Sequence, residues 1–176
     1  MRGALETTNL AAIRPAWELV FCSNDPFTWP FRPQFASGRI FYPTDGYHLT
    51  EQQFLAIGEA LRQTGETGFF ISIVESEKLS FLDRSWGHWV CERLSYEEYC
   101  QLPLSLETAI YSRKGRWGVL ISHEMHAMIA GSAEFMAAVS GEYQEWANDL
   151  RLLQEAWSGN PNANWLERVT SRVTPA

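Results

Sequence analysis

The chain has 176 residues, 45% of them hydrophobic and 14% aromatic, with 20% charged. That balance excludes an intrinsically disordered chain, and the length suffices for a core without disulfide staples. A formal net charge of −7 disfavours phosphate backbones and anionic lipid, so no nucleic-acid or membrane partner is expected, and a cationic protein is the partner that acidity favours.

One globular domain spanning residues 1–176 is expected at this length. The three cysteines, Cys22, Cys91 and Cys100, form no CxxC pair, which argues against a disulfide framework or a cysteine zinc site. Glu6, Thr7, Thr8 and Asn9 interrupt any apolar signal segment, and no apolar run approaches the roughly 18–20 residues that span a bilayer. The expected compartment is the cytoplasm.

Trp17 to Cys22 alternates enough to predict a short strand. Residues 25–47 follow, with Pro26, Pro30, Pro33 and Pro43 among Phe27, Trp29, Phe31, Phe35, Phe41, Tyr42 and Tyr47. Proline removes backbone donors, so this is an ordered loop with an edge strand near Arg39 to Tyr42, its aromatics packed on the body. Thr50 and Gln53 spell a capping box that opens a helix over about 51–64, closed by Gly65. Gly68 to Val74 reads as a buried strand, and Trp86 to Leu94 as a second. Ser95 and Glu98 cap a short helix that Pro103 ends.

Thr108 to Arg113 and Arg116 to Ser122 read as strands joined by a tight Lys114-Gly115 turn, and Ala127 to Ala130 as a third. Ser132 then caps a long amphipathic helix over about 133–157. In it Phe135, Val139, Tyr143, Trp146, Leu150, Leu153 and Trp157 step by three or four residues onto one face. Trp165 and Leu166 dock one more turn before a frayed tail. The expected fold is α+β: a mostly antiparallel sheet of about five to six strands against the 51–64 and 133–157 helices.

Catalytic motifs are scarce. His123-Glu124-Met125-His126 lacks the i, i+4 histidine spacing of a zincin. On a strand, positions three apart face opposite sides. A turn could still bring His123 and His126 together with His88 or His48, and a small metal-dependent enzyme is the alternative reading. No GxSxG elbow, Walker loop or GxGxxG is present, and Cys91 and Cys100 lie in stretches patterned for buried, inert thiols. No catalytic residue, metal ligand or cofactor is therefore assigned.

Eight tryptophans are the compositional excess. Trp86, Trp89 and Trp117, on strands expected to be neighbours, with His88 and Glu92, form a candidate recognition face; His123, Glu124 and His126 complete the candidate binding set.

Tyr111 to Phe135 runs Tyr-Ser-x-x-Gly-x-Trp-Gly, Ser-x-Glu-x-His-Ala and Gly-Ser-x-Glu-Phe before a helix. Over this C-terminal third the chain resembles small bacterial immunity-type domains of polymorphic and contact-dependent toxin systems. The resemblance implies a compact acidic protein that binds a cognate toxin without catalysis of its own. A non-enzymatic binding module is thus the leading expectation, with a regulatory or structural subunit of a larger assembly as a further one.

Overall fold

The computed structural model describes residues 3–35 and 38–174. In chain order its elements are β1 (Ala4–Glu6), α1 (Leu10–Val20), β2 (Arg39–Phe41), α2 (Glu51–Gln63), β3 (Phe69–Ile73), a 3-10 segment (Glu77–Asp83), β4 (His88–Cys91), α3 (Tyr96–Cys100), β5 (Thr108–Ser112), β6 (Trp117–Ile121), β7 (Ala127–Gly131), α4 (Ala133–Glu142), α5 (Trp146–Trp157) and α6 (Asn164–Thr170). Among the described residues the strands form one seven-stranded sheet, ordered β1-β4-β3-β5-β6-β7-β2. Every pairing is antiparallel, and the fold is α+β.

Strands β3, β5 and β6 are buried along their whole length, because helices cover both faces rather than one. Side-chain alternation then sorts the core into two layers. Phe69, Ile71, Ile110, Trp117, Val119 and Ile129 face α2, α3 and α4. Phe70, Tyr111, Leu120 and Met128 face α1, α6 and the aromatic loop.

Both predicted capping boxes form, at Thr50 with Gln53 and at Ser95 with Glu98. The Lys114-Gly115 turn forms as well, Gly115 taking φ +70°. The aromatics of the loop pack on the body, with Phe31 and Phe35 buried, and β2 pairs with β7 at the sheet edge.

Several expectations are corrected. Trp17 to Cys22 is no strand; Trp17 and Val20 belong to α1, with Ile13, Ala16, Trp17 and Val20 on its buried face. This helix packs so closely that a Cβ on Gly118 of β6 would lie 2.5 Å from Val20 and 2.6 Å from Phe21. The sheet has seven strands rather than five to six. The expected 133–157 helix breaks at Tyr143, whose backbone is extended at φ −119° and ψ 120°. The Gln144 side chain donates to the Ser140 and Gly141 carbonyls, capping α4.

The break redirects the apolar stripe. Phe135, Val139, Tyr143 and Trp146 join one core layer, while Leu150, Leu153 and Trp157 join the other. The α4–α5 elbow therefore wraps the β2 edge, where Trp146 stacks on Phe41 at 4.8 Å and Asp149 accepts from the Tyr42 amide at 3.0 Å. Covering an edge strand in this way blunts its unpaired backbone groups.

The tail does not fray before Thr174. Gly38 N–H donates to Arg172 and Thr174 N–H to Gly38. Residues 175–176 lie outside the described residues. Cys100 is exposed rather than buried; Cys91 is buried, and burial pushes its thiol up to about 12. Among the described residues no helix is long and apolar enough to cross a membrane.

Candidate functional site

Strand alternation and burial decide the fate of each residue in the candidate binding set. His88 and Trp89 are adjacent on β4, so they point to opposite faces, and both are buried. His88 Nδ1 pairs with Ser72 Oγ at 2.8 Å, its Nε2 meets the Phe81 carbonyl at 3.2 Å, and Ser72 in turn bonds Tyr111 Oη at 2.9 Å. Burial holds the His88 pKa below the ordinary imidazole value. Trp117 is fully buried, stacked on Phe135 at 4.8 Å, with its Nε1 donating to Glu66 at 3.1 Å. Glu92 is exposed and paired with Arg113. The expected face of Trp86, His88, Trp89, Glu92 and Trp117 is therefore not a surface, since three of its five members are core.

His123 and His126 do not converge. His126 is buried, stacked on Trp165 at 4.8 Å, with Nε2 at 2.9 Å from the Pro26 carbonyl, and desolvation lowers its pKa. The exposed ring of His123 turns to the Glu107 carboxylate through Nδ1, while Nε2 lies 3.5 Å from Glu124. Among the described residues no group of three or more His, Cys, Asp and Glu side chains is arranged to hold a metal ion. His123, Glu124, His126 and His88, the residues of the metal-enzyme alternative, thus lack a common centre.

What the structure does assemble lies at one end of the sheet. The C-terminal ends of β3 and β6 meet the N-terminal ends of β4, β5 and β7 there, and the connecting loops are tied together. Val74 N–H donates to Glu107, Ile73 N–H to Gly87, Thr44 N–H to Met125, and Thr108 Oγ1 to the Tyr47 carbonyl. Glu107, only 8% exposed at its side chain, anchors His123 across the loops.

On this frame stand Tyr47, Trp86, Leu106 and Met125, four of the seven large apolar side chains exposed among the described residues. Leu106 and Met125 sit in the left-handed region, at φ 57° and 63°, which costs roughly 1 kcal/mol or more each for a residue with a Cβ. The Trp86 ring is held by Arg84, whose guanidinium lies 4.4 Å over it while Nη2 donates to the Ile73 carbonyl at 2.7 Å. Burial lowers the Arg84 pKa. Asp45, Glu75 and Glu124 are exposed in the same loops, and Asp25 in the aromatic loop, where the neighbouring Asn24 donates to the Val74 and Ser76 carbonyls.

Chemically, this end presents exposed apolar side chains together with exposed carboxylates. The His123–Glu107 pair has the form of a base with its orienting carboxylate. Among the described residues, however, no hydroxyl or thiol hydrogen-bonds to His123 that could serve as its nucleophile. Of the candidate set, Trp86, His123 and Glu124 belong here; Tyr47, Leu106, Met125 and Glu107 are additions that single-residue patterns did not flag. The chain matches no protein-family model, no curated protein and no solved structure.

Proposed function

We propose that this protein is a non-enzymatic binding module that captures a cationic protein partner at the loop end of its sheet. The observation that carries the reading is the concentration of exposed Tyr47, Trp86, Leu106 and Met125 on one hydrogen-bonded frame. Tryptophan and tyrosine are the side chains that most often dominate binding energy, and methionine adapts to irregular partner surfaces. Trp86 precedes β4 and Met125 precedes β7, with β3, β5 and β6 between them, and at about 4.8 Å between neighbours the patch has the breadth of a small protein interface. The exposed carboxylates of these loops would speed encounter with a basic partner. With the resemblance of Tyr111 to Phe135 to immunity-type domains, the partner most in keeping with these features is a toxin that the module neutralises.

The test is co-expression with the products of neighbouring genes, followed by calorimetry on any complex. A Trp86→Ser and Met125→Ser double variant should weaken that complex at least a hundredfold while its melting temperature stays within a few degrees of the parent. If no neighbouring product binds, or if the double variant binds as well as the parent, the proposal fails.

A further inference from the structure

A second feature lies at the other end of β3 and β4, away from the loop surface. Between α2 and the sheet there is a cavity of about 480 Å³, within the range that holds small organic ligands. Its walls are Phe54, Ile57 and Leu61 of α2 with Phe69, Leu94 and Ile110.

The polar groups around it are unequal. Glu66 is buried, and its oxygens already accept from Ser112 Oγ and Trp117 Nε1, with Arg116 at 3.9 Å. Arg62 is held by Glu59 one helical turn away. Arg93 is exposed at the cavity and has no ion pair among the described residues.

Two backbone features at the mouth run against stability. Arg93 sits at φ 54°, a left-handed conformation that disfavours any side chain. Gly58 lies inside α2, where glycine costs up to about 1 kcal/mol relative to alanine, yet a Cβ there would meet nothing within 4 Å. Packing within the chain does not require that glycine, but close approach of a ligand to the α2 backbone would. With Arg62 taken up by Glu59 and the Glu66 carboxylate by Ser112 and Trp117, Arg93 is the lining cation left to meet an anion among the described residues.

We infer that this cavity binds a small amphipathic carboxylate, with its apolar body between α2 and the sheet and its carboxylate on Arg93. The inference stands apart from the binding reading above, since it uses neither the same residues nor the same end of the sheet.

Calorimetry and ligand-detected NMR with octanoate, with octanol as the neutral counterpart, test it. Octanoate should bind one per chain and at least tenfold more tightly than octanol. Arg93→Gly removes the guanidinium and relieves the left-handed backbone, so this variant folds; it should abolish the preference for octanoate while leaving octanol unchanged. Gly58→Leu, which has room for its Cβ, should weaken both. The inference is overturned if octanoate fails to bind below its micellar range, if octanol binds as well as octanoate, or if Arg93→Gly keeps the preference.

Discussion

Asp149→Asn isolates the electrostatics of the clasp over β2. The Asp149 side chain is buried, with 3% of the residue exposed, and burial raises its pKa from the ordinary 3.8 to about 6. Hydrogen bonds from Tyr143 Oη at 2.7 Å and the Tyr42 amide at 3.0 Å favour the ionised form but do not offset desolvation. The folded protein therefore holds this proton more tightly than the unfolded chain. Its contribution is fully present below about pH 4 and is lost as pH rises through 6. At 1.36 kcal/mol per pH unit, the span from 3.8 to about 6 amounts to about 3 kcal/mol at most.

Both hydrogen bonds fall on the same oxygen, Oδ2, so the single amide oxygen of asparagine can accept both. Urea unfolding of the parent and Asp149→Asn at half-unit steps from pH 4 to 8 gives the difference curve. The variant should gain stability relative to the parent between pH 4 and 7, up to about 3 kcal/mol, and the difference should then level off. A flat difference, or one that falls as pH rises, refutes this account of the clasp.

Glu66→Ala would strand the Trp117 indole N–H and the Ser112 hydroxyl in the core, at a cost of about 2–4 kcal/mol in chemical denaturation, whereas Glu66→Gln keeps an acceptor and should cost less. His88 and His126 are buried with lowered pKa values, so the folded state binds their protons less tightly than the unfolded chain. Their contribution is present above about pH 6.5 and is lost as pH falls; a His88→Gln, His126→Gln double variant should show a shallower loss between pH 6.5 and 5 by thermal melting. Gly118→Ala should destabilise the protein by about 1–3 kcal/mol, because its Cβ must displace Val20 and Phe21; a melt unchanged within a degree would show that α1 can retreat freely.

Strands β2 to β7 were legible because their apolar and β-branched residues form runs bounded by turn chemistry, as at Lys114-Gly115, whereas the three-residue β1, Ala4–Glu6, is too short and too exposed to leave such a run. The two capping boxes were legible because a side chain three residues from another fixes its partner. Helix α1 was not, since Pro15 hides the 3–4 spacing of Ile13, Ala16, Trp17 and Val20. The break at Tyr143 escaped because the apolar stripe continues through it in correct helical steps; only the sheet edge shows that its two halves serve different layers. At the candidate site, Trp86, His123 and Glu124 stood out as residue types. Burial of His88, Trp89 and Trp117 follows from helices on both sides of the sheet, which local patterns do not report. The left-handed backbones at Leu106 and Met125, and the inward turn of Glu66 from a polar Gly-Glu-Thr-Gly loop, depend on tertiary contacts and left no local signal.

The position of β2 has a further consequence for how the chain reaches its native state. Residues 39–41 pair with 127–129, and Gly38 with the backbone of residues 172–174, so the first aromatic segment cannot be seated until residue 174 has left the ribosome. Until then Trp29, Phe31, Phe35 and Phe41 have no completed layer to enter, and the nascent chain carries an adhesive stretch. Pairings that distant in sequence slow folding. A chaperone that shields residues 27–41 during synthesis would therefore act on yield rather than on the stability of the finished protein.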